Sequence, residues 1–278
     1  MRREDLPGHA ACPEAKALKG AAVGTTLFPA EAIWEAVSPS LAGFTVEVLP
    51  QIDSTNTELM RRAKTGQLDP VLLVAERQTA GRGRLGRLWH SDVTGTATIP
   101  SLTFSLGLPL APVNWSGLSL AVGVSVAQSL HSELRLKWPN DIWLHDRKLG
   151  GILIETGSFG DRRYVVIGVG INIATRDAAG LSTPPAGLAE VQAAIGPGLA
   201  LQLIAAPLVR AVQTFEAQGF APFQACFNAL DVLAGRAVVC SDGTTGEAKG
   251  VDATGALLVQ TAAGLRKITS AEVSVRPC

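Results

Sequence analysis

The spacing of apolar residues predicts a chain that alternates between helices and strands. Runs with helical spacing cover residues 27–37, 56–65, 117–135 and 199–218. Strand-like runs cover residues 44–48, 71–75, 134–138, 142–144, 152–156 and 164–173. The last four strands follow one another through short polar links, which indicates antiparallel hairpins. We therefore expect an α/β (α+β) fold with a mixed, largely antiparallel sheet flanked by helices, and not a repeat of βαβ units.

The pattern changes near residue 233. Short strands at 237–240, 256–260 and 265–268 alternate with turns rich in Gly, Asp and Thr, which predicts a small all-β barrel. The first 26 residues or so are rich in Ala, Gly and Pro without a sustained period, so a loose tail is expected there. The predicted units are a tail with a short helix (1–43), a main domain (44–232) and a C-terminal β-barrel (233–278).

Composition narrows the class of protein. Lys and Arg number 24, as do Asp and Glu, which argues against a protein that coats nucleic acid or an anionic membrane through its overall field. The N-terminal residues lack the apolar stretch of a signal peptide, and the longest apolar segment, 117–130, falls short of a membrane span. Residues 27–37 are too few for a helix-turn-helix, which needs about three helices. A cytoplasmic protein that binds neither DNA nor membranes is therefore expected.

The most informative segment is ERQTAGRGRLGRLW at 76–89, which follows a predicted buried strand. Its glycines let the backbone approach a ligand closely, and its arginines offer bidentate contacts to carboxylate or phosphate. The spacing G-x-G-x-x-G over 81–86 matches the dinucleotide fingerprint, but that motif needs a helix to start at the third glycine. The residues that follow are instead interrupted by Gly, Thr and Pro and then strand-like. We reject the dinucleotide interpretation, and a solvated basic turn remains the alternative.

Four further segments place polar residues at the ends of predicted elements. They are DSTN at 53–56, KWPND at 137–141, DRKLGG at 146–151 and GVGIN at 168–172. Taken singly, each has an ordinary structural explanation: a helix N-cap, two polar hairpin tips, and a strand with a bulge.

In order and spacing, however, STN, ERQTAGRGRLGRLW, KWPNDIW, DRKLGGILIE and GVGINI together resemble the biotin–protein ligase family. The resemblance covers about 45–175, and the C-terminal barrel is similar to that family's SH3-like domain. It implies a fold like class II aminoacyl-tRNA synthetases and biotin ligases, in a monofunctional form without an N-terminal DNA-binding domain. It also implies an enzyme that uses ATP and Mg²⁺ to convert biotin to biotinyl-5'-AMP. The biotin then passes to a lysine of a biotin carboxyl carrier protein, for which acetyl-CoA carboxylase is the expected source.

The resemblance also implies a set of site residues. The biotin pocket would include Ser54, Thr55, Asn56, Gln78, Gly81, Arg82, Gly83, Arg84, Lys148, Gly151 and Gly168. The ATP and adenylate side would include Arg82, Arg84, Arg87, Trp89, Lys137, Asn140, Lys148 and Asn172. The catalytic residues would be Arg82, Arg84, Lys148 and Asp141. Metal ligands stay open, with Mg²⁺ carried mainly by phosphates near Asn140.

The sequence leaves three rival interpretations. A lipoate or octanoate ligase or transferase of the same fold is the nearest alternative, because it also acylates a carrier lysine. A nicotinamide oxidoreductase would need the dinucleotide motif rejected above. A biotin-dependent repressor would need a DNA-binding domain. One departure from the family stands out: after Trp89 this chain is a few residues longer before its next strand, which affects the expected geometry of that loop.

Overall fold

A computed structural model describes residues 28–89, 99–176, 183–269 and 275–277. The predicted tail, and most of the longer segment that follows Trp89, lie outside the described residues. A short helix α1 (Ala30–Val37) comes first, at the position where the sequence predicts it.

The main sheet has seven strands and confirms the expected mixed, largely antiparallel arrangement. Its order is β1-β2-β3-β7-β6-β5-β4, where β1 and β2 are parallel and every other neighbouring pair is antiparallel. The parallel pair arises because a helix, α2, connects the two strands. The strands are β1 (Thr45–Ile52), β2 (Val71–Gln78), β3 (Ser101–Pro109), β4 (Arg135–Lys137), β5 (Asp141–Leu144), β6 (Arg147–Phe159) and β7 (Arg162–Asn172).

Helices cover both faces of this sheet. On one face, α2 (Thr55–Lys64) packs its Leu59 and Ala63 on Leu73, Tyr164 and Val166. The other face supports the larger core, which is formed with α1, α3 (Leu118–Leu130) and α4 (Pro197–Gln218). A further helix, α5 (Gln224–Leu230), was not predicted, because its seven residues are too few to display a clear helical period.

The start of α2 is determined by local sequence. Ser54 is extended (φ −158°, ψ 132°), and its hydroxyl accepts a hydrogen bond from the Thr57 N–H at 3.4 Å, as expected of an N-cap. The helix is followed by Gly66 at φ +88°, a conformation that glycine adopts without strain. The first turn of α2, at residues 55–57, lies above the middle of the sheet, because Thr55 and Asn56 contact Ser105 on β3.

The C-terminal residues form a second, five-stranded antiparallel sheet in the order β11-β10-β9-β8-β12. Two of these strands were not predicted from the sequence: β9, because its TGEAKGV stretch carries too few apolar side chains, and β12, because it has only three residues. The division at 232/233 remains a prediction. The strands are β8 (Ala237–Cys240), β9 (Thr245–Val251), β10 (Leu257–Thr261), β11 (Gly264–Ile268) and β12 (Val275–Pro277).

The two sheets share one continuous core, joined at Trp138. This side chain is 1% exposed, and its indole N–H donates to the Gly255 carbonyl at 3.0 Å. Gly255 in turn lies so close to Gly117 that an added Cβ would be 2.8 Å from the Gly117 Cα. The KWPND turn, which holds Lys137 and Asp141, is thus tied to the C-terminal sheet by the tryptophan between them.

Among the described residues, α4 is the one helix whose length and hydropathy would allow it to cross a bilayer. The longest apolar segment identified from the sequence was 117–130, but α4 is longer. Its side chains Leu201, Ile204 and Leu208 are fully buried in the main core, where the helix packs against α3. This burial is typical of a core helix.

Asp231, just after α5, is a buried carboxyl group that is costly to ionise. Its Oδ1 accepts the Leu233 N–H at 2.9 Å, whereas its Oδ2 is buried without a hydrogen-bond partner among the described residues. Burial raises the pKa of Asp231 to about 6, against the opposing effects of the Leu233 N–H and Arg236. Since the unfolded chain holds this carboxyl near its ordinary pKa, its ionisation lowers the stability of the fold as pH rises through about 6.

Replacing Asp231→Asn keeps the acceptor for Leu233 and removes the charge. We expect the free energy of unfolding to rise by about 2 kcal/mol at pH 8, with the gain shrinking as pH falls towards 4. Urea unfolding at several pH values measures this. Asp161→Asn, on the exposed β6–β7 turn, is the matched control. A gain that does not depend on pH would contradict the expectation.

Candidate functional site

Glycines remove side chains from the middle of the sheet face that carries α2. Gly151 of β6 pairs with Gly170 of β7, and Gly168 lies two residues away on the same face. On β3, Ser105 pairs with Gly168. The result is a floor of bare backbone next to the N-terminus of α2, a place where a ligand can lie against the sheet.

A buried polar network borders this floor on the α2 side. The Thr55 N–H donates to Gln78 Oε1 at 2.7 Å, and the Thr55 hydroxyl is 3.1 Å from the same oxygen. Ser105 Oγ lies 2.6 Å from both Thr55 Oγ1 and Asn56 Oδ1. All four side chains are nine-tenths or more buried. Because buried polar groups are costly to leave unpaired, these bonds hold the side chains in a single arrangement.

The network continues to Glu155 on β6. Asn56 Nδ2 donates to Glu155 Oε2 at 2.9 Å and to the Leu153 carbonyl at 3.3 Å. The other oxygen of the carboxylate, Oε1, is 3.5 Å from an Arg82 nitrogen. Gly168 makes room for this, since a Cβ there would be 2.1 Å from Asn56 Oδ1.

Ser105 and Glu155 are functional candidates that sequence reasoning missed. Ser105 sits in a strand, β3, whose residues are buried almost throughout, so a hydroxyl there was a detectable signal. Glu155 is the last residue of the DRKLGGILIE segment, and no local pattern assigns it a role. Both contact residues about 50 to 100 positions away in the sequence.

The Arg-Gly segment forms a small hairpin. The Gly83 N–H donates to the Arg87 carbonyl at 2.7 Å, and the Trp89 N–H donates to the Gly81 carbonyl at 2.9 Å. Leu85 (φ +57°) and Gly86 (φ +72°) make the turn. A single 3-10 turn covers Arg84–Gly86, but no α-helix begins at the third glycine, as the dinucleotide motif would require, and the element described after this turn is β3.

The Trp89 indole packs against the glycine floor at Gly170. A Cβ at Gly170 would be 2.5 Å from Trp89 Cε2, so only glycine admits the indole at this position. The Arg176 guanidinium lies 5.8 Å from the centre of the indole ring. Trp89 therefore forms an aromatic wall at the far end of the floor from Asn56.

Cations gather around Asp141 at the β5–β6 edge of the floor. Lys148 Nζ donates to Asp141 Oδ1 at 2.6 Å and is 3.6 Å from the position of a Cβ at Gly151. The pKa of Arg84 is lowered mainly by burial and further by Arg87, while Asp141 opposes both. Lys137, opposite Asp141 on β4, lies 4.5 Å from the centre of the Trp143 ring.

Arg82 and Lys148 both lie over the same face of β6. Arg82 reaches Glu155, and the Lys148 ammonium lies beside Gly151, which is on the same strand and the same face as Glu155. Partly desolvated cations above a bare backbone are suited to hold carboxylate and phosphate groups.

Other predicted site residues have structural partners. Asn140 Nδ2 donates to the Ile152 carbonyl at 3.0 Å, and Asn172 Nδ2 donates to the Ala186 carbonyl at 3.1 Å. Ser54 caps α2, and Arg87 is exposed on the hairpin. Their direct roles at a ligand stay predictions.

Comparison with known proteins gives consistent matches. Residues 48–172 match the Biotin/lipoate A/B protein ligase family, and residues 237–276 match the Biotin protein ligase C terminal domain. The bifunctional ligase/repressor BirA of Escherichia coli (strain K12) is 38% identical over 251 residues, which cover 85% of this chain and 75% of that protein. The biotin–[acetyl-CoA-carboxylase] ligase of Paracoccus denitrificans is 32% identical, over 81% of this chain and 98% of that protein.

A solved structure extends the likeness to three dimensions. The biotin protein ligase from Aquifex aeolicus in complex with biotin and ATP superimposes with a TM-score of 0.71 at 28% identity. The match covers 84% of this chain and 99% of that chain.

The glycine floor can be tested with single methyl groups. In Gly168→Ala, the new Cβ must displace Asn56, so we expect a loss of about 2 kcal/mol of stability from overpacking. Gly196→Ala is the matched control, because a Cβ there meets nothing within 4 Å and its φ is ordinary. Chemical denaturation of both variants gives the comparison. If Gly168→Ala were as stable as Gly196→Ala, the close approach of Asn56 to Gly168 would not be needed for the fold.

Proposed function

Because this chain belongs to the biotin/lipoate A/B protein ligase family, we propose that it activates biotin with ATP and transfers biotin to a lysine of a biotin carboxyl carrier protein. The observation that carries this is the contact of Lys148 with Asp141, with the partly buried Arg84 in the field of the same carboxylate, at the rim of a glycine floor bordered by buried polar groups. It is an enzyme of the biotin–[biotin carboxyl carrier protein] ligase type, with biotin and ATP as substrates.

The polar end of the floor suits the ureido ring of biotin. A ureido group offers N–H donors and a carbonyl acceptor, and needs complementary groups in an otherwise apolar slot. Thr55 and Gln78 supply them from a rigid network, while Gly168 lets Asn56 pack against the sheet beside them. The remaining residues of this pocket in our proposal are Ser54, Asn56, Gly81, Gly83 and Gly151.

In the first step, an oxygen of the biotin carboxylate attacks the α-phosphorus of ATP, and pyrophosphate leaves. Two anions approach each other, and negative charge grows on the phosphoryl oxygens. Arg84 and Lys148, with Arg82 from the same hairpin, relieve that repulsion. Burial of Arg84 strengthens its pull on the anions, because less water competes for its guanidinium. The protein supplies no nucleophile in this step.

The adenine and phosphate groups occupy the opposite side of the floor. Trp89 offers its ring to the nucleotide, and Arg87, Lys137, Asn140 and Asn172 line the approach in our proposal. Among the described residues no cluster of three or more His, Cys, Asp or Glu side chains is placed to hold a metal. We propose that Mg²⁺ is carried mainly by the ATP phosphates, near Asn140, where it screens phosphate charge.

In the second step, the acceptor ε-amine attacks the acyl carbon of the mixed anhydride, and AMP leaves. The amine must lose a proton to react. Asp141 is our proposed base or orienting group. Its contact with Lys148 links the two steps, because Lys148 leaves the carboxylate when it turns to the anhydride.

Lipoate or octanoate transfer is the second candidate, because the matched family model spans both kinds of ligase. The C-terminal domain match and the named relatives favour biotin. We further propose that the protein acts in the cytoplasm and does not bind DNA. A retention assay on DNA fragments tests the latter point.

The central experiment is ATP-dependent labelling of a purified biotin carboxyl carrier domain, with a lipoyl domain as control. Labelling of the lipoyl domain with lipoate, and not of the biotin domain, would reverse the assignment.

For Lys148→Gln we expect the formation of biotinyl-adenylate to slow by about 10²-fold or more, because one cation at the reacting phosphate is lost. Exchange of pyrophosphate into ATP measures this step alone.

Asp141→Asn separates the two steps. Transfer from preformed biotinyl-adenylate to the carrier should slow by about 10²-fold, the usual contribution of a general base. Formation of the adenylate should change less. Single-turnover transfer measured against pH is the readout, and unchanged transfer would remove Asp141 from the second step.

A further inference from the structure

Glu155 poses an electrostatic problem. A site that brings a carboxylate and a triphosphate together gains nothing from another negative charge near its floor. Yet Glu155, on the same face of β6 as Gly151, is only a quarter exposed and bonds at both of its oxygens. One oxygen accepts from Asn56 and the other faces Arg82 at 3.5 Å.

The contact with Asn56 determines which way its amide points. Asn56 Nδ2 faces two acceptors, Glu155 and the Leu153 carbonyl, so Oδ1 must face Ser105. Ser105 then donates its single hydroxyl proton to that oxygen. Thr55 is left to donate its own proton to Ser105 or to Gln78, both within hydrogen-bond distance. The pattern of donors and acceptors at the ureido end of the pocket therefore begins at Glu155.

The contact with Arg82 links Glu155 to the Arg-Gly hairpin. Arg82 is half exposed and belongs to the hairpin at 81–89, which is held to the rest of the protein by few apolar side chains, since Leu85 and Leu88 are themselves exposed. An ionic contact from the sheet to Arg82 therefore holds the hairpin over the floor. It does so from the opposite end to Trp89.

We propose that Glu155 is a positioning residue that couples the two parts: one oxygen holds Asn56 and the polar pocket, and the other holds Arg82 and the hairpin. The inference rests on the proposed function. Its consequence is that the hairpin closes more firmly over a correctly filled pocket, which keeps the reactive adenylate from escaping before the carrier arrives. Glu155 itself takes no part in bond making.

Glu155→Gln tests this with little change of shape. A glutamine can turn its oxygen to Asn56, but it then presents an NH₂ group to Arg82, so one of the two links must break. We expect preformed biotinyl-adenylate to leave the variant about tenfold faster, the effect of losing one partly buried ion pair. Biotin affinity should fall much less. Trypsin should also cut the hairpin arginines faster in the biotin complex.

Glu35→Gln, on the exposed surface of α1, is the matched control and should leave all three measurements unchanged. Arg82→Gln and the double variant complete a cycle: if Glu155 acts through Arg82, the effects on adenylate release will not add. A purely structural role would lower stability without this coupling.

The outcomes are distinct. If the wild-type protein makes no adenylate, the proposed function fails. If wild-type protein makes and retains it, but Glu155→Gln releases it at the wild-type rate, or the two substitutions add fully, the positioning role is overturned. Should Glu155→Gln not fold, Glu155→Asp keeps the charge but shortens the reach to both partners. It should release adenylate faster as well, and wild-type retention in that variant would equally refute the proposal.

Discussion

The pairing of Gly151 with Gly170 across β6 and β7 removes side chains from the centre of one sheet face. Most features of the site follow from that gap. Asn56 approaches the sheet where Gly168 has no Cβ, and Trp89 lies where Gly170 has none. A methyl group at Gly168 or Gly170 would displace Asn56 or Trp89 and so change the walls of the site.

The charges are balanced around this gap in a way that the chemistry requires. Each carboxylate near the floor is matched with a cation: Asp141 with Lys148, and Glu155 with Arg82. These pairings keep the cations in position without ligand, while partial burial keeps them reactive towards anions. In a site with cations alone, the cations would repel one another. In a site with completely buried ion pairs, the cations would stay with their carboxylates and not turn to phosphate.

The C-terminal sheet enters the same argument through Trp138. The indole N–H of Trp138 donates to the Gly255 carbonyl, so this residue of the KWPND segment supports the site without facing a ligand. Lys137 precedes it and Asp141 lies three residues beyond it, both on strands that face the floor. The second sheet thereby steadies one wall of the site, which gives a physical reason for the two sheets to share a core.

The sequence by itself determined the class of fold, the long helices, most strands and the segments that carry the chemistry. These depend on local periodicity, turn chemistry and motif spacing, which neighbouring residues specify. It did not reveal Ser105 and Glu155, the place of Trp138 against Gly255, or the partners of Asn140 and Asn172. Those contacts mostly join residues far apart in the chain, and only the folded sheet brings them within hydrogen-bond distance. A buried polar side chain can be noticed in a sequence, but its partner is decided by strand order and register, which are properties of the tertiary structure.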